Sequence, residues 1–175
     1  DADYSCVLSS LGYVYLVGCG ITDEDLDDLA TCLDDAGRED IILLNLGSSA
    51  LTTLPEGVFE GLTALETLTV YNNTLTTLPE GVFGGLTALG NLWLFGNSLT
   101  TLPEGIFEDL TALTRLRLEG NALECLPIIP SALVEVDDDA TQFEDGLHVD
   151  PYGAECGCSI PDVTDNVCGQ ETCTP

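Results

Sequence analysis

From Leu51 to Ala122 the chain writes one 24-residue phrase three times: LTTLPEGVFEGLTALETLTVYNNT, LTTLPEGVFGGLTALGNLWLFGNS and LTTLPEGIFEDLTALTRLRLEGNA. Units repeated at such a period bury their apolar faces only against one another, so they stack into a solenoid. Within each copy runs L-x-x-L-x-L/V-x-x-N-x-L: Leu65, Leu68, Val70, Asn73, Leu75, then Leu89, Leu92, Leu94, Asn97, Leu99, then Leu113, Leu116, Leu118, Asn121, Leu123. The alternation around Leu68, Leu92 and Leu116 is that of a strand with one buried face, and stacked copies make a parallel sheet. Asn73, Asn97 and Asn121 fall where the strand ends, and an inward amide there bonds backbone groups that the sheet leaves unpaired. Phe59, Phe83 and Phe107 recur in the same register and are expected to fill the convex side of the core.

Outward from the repeats the frame weakens. Residues 1–40 read as an N-terminal cap in which Leu11, Val14, Leu16, Cys19 and Ile21 follow the frame, giving a strand over 13–17. A helix follows, with Thr22 as its cap, Asp23, Glu24 and Asp25 at its positive end, and Leu26, Leu29 and Leu33 as its apolar stripe before Gly37. Residues 41–141 hold the repeats, beginning with a unit that carries Ser49 where asparagine is expected; a serine there is expected to bond backbone as well. The frame at Leu133, Val136 and Asp138 ends the sheet, for a total of about six strands. Residues 142–175 are a loop-rich, cysteine-rich C-terminal cap.

Charge and cysteine narrow the setting. Against 31 acidic residues stand Arg38, Arg115 and Arg117 and no lysine, a net charge of −28 that disfavours nucleic acid and anionic membranes as partners. Glu56, Glu80 and Glu104 stack in register about 5 Å apart, a self-repelling ladder that concentrated salt would screen, which suggests a marine or saline source. No apolar run is long enough to span a membrane, no signal peptide stands at Asp1, and the chain reads as a mature form. Eight cysteines lie at the two ends and none between Cys32 and Cys125, the pattern of disulfide-stapled caps in an oxidising compartment. Cys6 and Cys32 are the expected bridge, with Cys19 a buried thiol. Cys125, Cys156, Cys158, Cys168 and Cys173 pair among themselves with one left over. Zinc is the competing reading of the cysteines, although no C-x2-C pair is present.

The phrase L-T-T-L-P-E-G-V-F-x-G-L-T-A-L resembles the leucine-rich repeats of variable lymphocyte receptors, the antigen receptors of jawless vertebrates, and of Toll-like receptor ectodomains. The resemblance covers Leu51 to about Leu126. It implies an α/β fold, a right-handed leucine-rich repeat solenoid with a concave parallel sheet, a convex side of loops and 3-10 turns, and stapled caps. It also implies a secreted or surface recognition protein. The caps depart from that family's cysteine frame, so a recognition protein of another lineage is expected.

Because strand side chains alternate, the outward positions of the concave sheet are legible as columns. The central one is Tyr15, Asn45, Thr69, Trp93, Arg117, Asp137, flanked by Tyr13, Leu43, Thr67, Asn91, Arg115, Glu135 and by Val17, Gly47, Tyr71, Phe95, Glu119, Asp139. Tyr13, Tyr15, Tyr71, Asn91, Trp93, Phe95, Arg115 and Arg117 are therefore the expected ligand-binding residues, rich in the side chains that anchor interfaces. Arg115 faces Glu135 and Arg117 faces Asp137, pairings that would satisfy both arginines within the sheet, and Arg117 is also expected over the Trp93 ring. His148 has no nucleophile, phosphate loop or metal box around it, so no catalysis and no cofactor are expected. The expected function is binding of an extracellular protein or glycan by a monomeric, secreted module. The alternative is an acidic structural protein that associates with calcium, mineral or ice, through carboxylates such as Asp137, Asp138 and Asp139 or through the paired threonines 52–53, 76–77 and 100–101. Asn72-Asn73-Thr74 is a glycosylation sequon beside Tyr71.

Overall fold

The computed structural model describes residues 8–9, 12–35, 37–123, 127 and 135–136. Seven strands form one sheet in chain order: β1 (Leu8–Ser9), β2 (Tyr13–Tyr15), β3 (Leu43–Asn45), β4 (Thr67–Thr69), β5 (Asn91–Trp93), β6 (Arg115–Arg117) and β7 (Glu135–Val136). From β2 to β7 every pairing is parallel, so the six expected strands are present. The seventh, β1, was not anticipated; it runs antiparallel to β2 and pairs Leu8 with Val14 and Ser9 with Tyr13. Register aligns Val14, Leu44, Leu68, Leu92 and Leu116 into one fully buried row, which is the sheet's contribution to the core. Gly12 makes the tight entry into β2 possible: its φ of 74° and the Asp40 carbonyl, which sits where a Cβ would stand, admit no larger residue.

Behind the sheet the core is completed by the phrase's other apolar positions. Phe59, Phe83 and Phe107 are buried, and the first two rings stack at 6.3 Å between centroids. Each such side chain contributes about 1.5–3 kcal/mol by leaving water, so repetition of the phrase multiplies the gain. The connecting segments are successions of i→i+3 turns, such as Val58 N–H to Pro55 C=O and Glu60 N–H to Gly57 C=O, and not 3-10 helices. Among the described residues 3-10 helix occurs at Asp23–Asp25 and Arg38–Asp40. The first runs into the expected helix, α1 (Leu26–Asp35), whose Leu26, Leu29 and Leu33 are buried. Thr22 is the N-cap of that 3-10 turn and not of α1 itself, and its N–H and its hydroxyl both donate to the Asp25 carboxylate at 2.8 Å.

The asparagine ladder is present, and it works by bridging neighbouring units. Asn73 Oδ1 accepts from Leu51 N–H in the preceding unit, while its Nδ2 donates to Leu46 C=O of that unit and to Val70 and Tyr71 C=O of its own. Asn97 and Asn121 repeat the pattern on Leu75 and Leu99 N–H. Ser49 does not: contrary to expectation its hydroxyl is buried without a hydrogen-bond partner, because its side chain is too short to reach the groups an amide spans. Cys19 likewise departs from expectation. It is exposed, with its thiol 3.8 Å from Val17 C=O, because among the described residues no repeat unit precedes β2 to cover this position as the preceding unit covers Asn73.

Two side chains join the irregular first unit to the repeats. Arg38 pairs with Asp34 and donates to Ala30 C=O of α1, then to Val58 C=O and Glu60 C=O of the next unit's convex turn, at 2.9–3.3 Å. Asp23 accepts from Thr52 N–H at 2.8 Å, from Thr53 N–H at 3.2 Å and from the Thr52 hydroxyl. Partial burial opposes ionisation of Asp23, but these donors outweigh it and hold the carboxyl below its usual pKa. The Cys6–Cys32 bridge, the five C-terminal cysteines and their cap, the Asp137–Asp139 run and His148 lie outside what the structure describes.

Candidate functional site on the outer face of the sheet

The outward columns are arranged as the strand alternation requires, but their side chains interact more than simple exposure would suggest. Tyr71 and Phe95, which follow β4 and β5, stack face to face with centroids 4.8 Å apart and planes 5° from parallel. Gly47 precedes them in the column, and a Cβ there would overlap the Tyr71 ring. That glycine is required by the ring that lies on it and not by its own backbone angles.

On the C-terminal side the stack continues. The Arg117 guanidinium lies 4.6 Å from the Phe95 centroid, and its Nε donates to Glu119 Oε1 at 2.5 Å while Nη2 pairs with the same oxygen. The expected cation–π contact therefore forms with Phe95 and not with Trp93. Arg117 is opposite Trp93 in register, but Glu119, two residues along its own chain, draws the guanidinium diagonally across the sheet. Arg117 is likewise paired with Glu119, while Asp137 lies outside the described residues. Arg115 aligns with Glu135 as expected and is engaged within the chain.

Trp93 is half-buried at the centre of the face and makes no ring or cation contact among the described residues. Between it and Asn45 lies Thr69, only 2% exposed, whose hydroxyl has no partner. Asn91 donates to the Thr67 hydroxyl at 3.1 Å. Tyr13 and Tyr15 form a separate tilted pair 6.4 Å apart on β2, where Tyr15 and Val17 are the most exposed large apolar side chains among the described residues. The structure thus brings Tyr71, Phe95 and Arg117 into one stack, places Trp93 beside it, and leaves Tyr13 and Tyr15 apart.

Gly47 and Glu119 take part in the stack on this face although they were not among the expected binding residues. Glu119 is 7% exposed and its Oε2 is buried without a hydrogen-bond partner. The available signal was its column, which puts an acid directly beyond Phe95.

Comparison with known proteins places the architecture. A model described as leucine rich repeat matches residues 42–99 and 72–123. No curated protein shows significant similarity to the chain. Among solved structures, the leucine-rich repeat domain of APL1B is similar at 25% identity with a TM-score of 0.53, covering 65% of this chain and 32% of that one. The APL1 leucine-rich repeat domain is similar at 25% identity and 0.53, covering 64% and 28%. A leucine-rich repeat protein of Leptospira interrogans reaches 39% identity over 48% of this chain and 21% of its own, with a TM-score of 0.44. The chain spans about a third or less of the length of each of these structures. Among the described residues no helix is long and apolar enough to cross a membrane. Residues 42–123 are therefore leucine-rich repeats, and the fold is the leucine-rich repeat solenoid that the APL1B and APL1 domains also have.

Proposed function

We propose that the chain is a non-enzymatic recognition module that binds an extracellular protein through the concave, outer face of its sheet, with Trp93, Tyr71, Phe95 and Arg117 as anchors. Leucine-rich repeat domains generally mediate protein–protein interaction. The observation that carries the reading for this chain is the contrast between its two sets of positions. Core leucines, phenylalanines and asparagines repeat from copy to copy, whereas the outward triplets change from Thr67, Thr69, Tyr71 to Asn91, Trp93, Phe95 to Arg115, Arg117, Glu119. Stacked aromatics and a half-buried tryptophan hold a large contact area in a fixed shape, so little side-chain entropy is lost on binding. Asn91, Tyr13, Tyr15 and Arg115 extend the surface. A glycan is the other ligand class such aromatics would suit, and secretion accords with cysteine-rich ends.

The threonine-array alternative loses ground to one observation. Asp23 already occupies the Thr52–Thr53 pair, so the three pairs do not present one uniform surface.

The test is a binding screen of the intact chain against extracellular proteins and glycans, repeated with Trp93→Ala. The variant is expected to keep its melting temperature and to lose about 2 kcal/mol of binding, roughly thirty-fold in Kd. Unchanged affinity for the partner found would refute the site.

A further inference from the structure

We propose that Phe95 and Glu119 form a subsite for a cationic side chain of the partner, an arginine or lysine, and that Arg117 fills this subsite in the free protein. The inference rests on the recognition reading and specifies the chemistry of what is recognised.

The geometry is that of a cation site already occupied from within. Phe95 offers one ring face to the Arg117 guanidinium at 4.6 Å, while Tyr71, seated on Gly47, backs the ring with a stack at 4.8 Å. Glu119 supplies the counter-charge. An aromatic face beside a carboxylate attracts a guanidinium or ammonium through both the ring quadrupole and the full charge.

Arg117 uses the site incompletely. Its Nε and Nη2 both address Oε1, so the two-oxygen fork that makes guanidinium–carboxylate pairs strong does not form. Oε2 is left buried without a donor, a costly state that an added N–H would relieve. A guanidinium arriving from a partner can address both oxygens once Arg117 swings aside, and the displaced Arg117 is then free to anchor the partner outside the subsite, a contact that a single-residue probe does not make.

Charge excludes the opposite ligand. Of the chain's three cations, Arg38 is committed to α1 and the first convex turn, Arg117 to Glu119, and Arg115 is engaged within the chain. With 31 acidic residues around them, the field at this face draws cations and repels anions.

The experiment uses the full chain with acetyl-arginine amide as the probe and acetyl-citrulline amide, its uncharged analogue, as the control. Arg117→Ala vacates the subsite, so it should bind the arginine probe about ten-fold more tightly than the parent, because self-occupancy reduces apparent affinity by the vacant fraction. The citrulline probe should not bind, and adding Glu119→Gln should abolish the gain. In the parent protein, excess arginine probe should shift the NMR signals of the Phe95 ring and of the Arg117 Nε–H, which keeps the test open should the variants unfold. Equal binding by Arg117→Ala and the double variant would overturn the proposal, as would parent signals that move alike with both probes. A partner lost on Trp93→Ala but retained in full on Glu119→Gln would overturn the cation subsite while leaving the recognition face standing.

Discussion

Replacing Asn73 by alanine should destabilise the protein more than the same change at Asn97, and the hydrogen bonds give the reason. Asn73→Ala removes the donor to Leu46 C=O and the acceptor for Leu51 N–H, neither of which has another partner among the described residues. Val70 and Tyr71 C=O, its other two acceptors, keep bonds from Asn97 Nδ2 and Ser48 N–H. Asn97→Ala orphans Leu75 N–H alone, because Val70 C=O retains Asn73 and Leu94 C=O retains Asn121. An unsatisfied buried backbone group costs about 1–3 kcal/mol, so Asn73→Ala should cost about 4 kcal/mol and Asn97→Ala about 2. Equilibrium urea unfolding reads the difference as a shift in midpoint at unchanged slope. Equal costs, or two losses both below about 0.5 kcal/mol, would refute the claim that the ladder satisfies backbone groups across units.

Arg38→Ala should lower stability by about 2 kcal/mol in the same assay, and Arg38→Lys should restore little, since one ammonium cannot span three carbonyls. Asp23 has a depressed pKa when folded, so its contribution is fully present above the unfolded value of about 3.9 and fades as pH falls through the lower folded one. The stability gap between the parent and Asp23→Asn should therefore be flat at higher pH and narrow below about pH 4; a gap independent of pH there would contradict the clamp. The bonds of Ala50, Thr74 and Ser98 N–H to Ile21, Leu51 and Leu75 C=O align position 23 with 53, so Thr53→Asp should clamp Thr76 and Thr77 as Asp23 clamps Thr52 and Thr53. In high salt, which screens the added charge, it should raise stability by about 1 kcal/mol, read by thermal unfolding.

What could be read from the sequence was whatever repeats. The buried row from Val14 to Leu116, the phenylalanines and the asparagine ladder each follow from one residue type recurring at a fixed interval, which leaves a single register for the strands. Contacts between the irregular first unit and the repeats have no period to betray them. Arg38 and Asp23 show this, although Arg38, the sole cation before Arg115 in so acidic a chain, was a usable signal. Alternation placed Tyr71, Phe95 and Arg117 on the outer face but not the direction in which each leans. Arg117 turns to Phe95 because Glu119 attracts it, and Tyr71 lies flat because Gly47 leaves room. The turn after β2 is bonded like those of the regular units, yet Cys19 faces solvent because, among the described residues, no repeat unit precedes β2 to offer the groups that Asn73 finds in Leu46 and Leu51.

The most direct test of the central claim is hydroxyl-radical footprinting of the intact chain with and without its partner. The account predicts that labelling falls at Trp93, Tyr71 and Phe95 on binding and stays constant in the convex turns around 55–62, 79–86 and 103–110. Protection confined to those turns, with the aromatic face labelled as before, would contradict it.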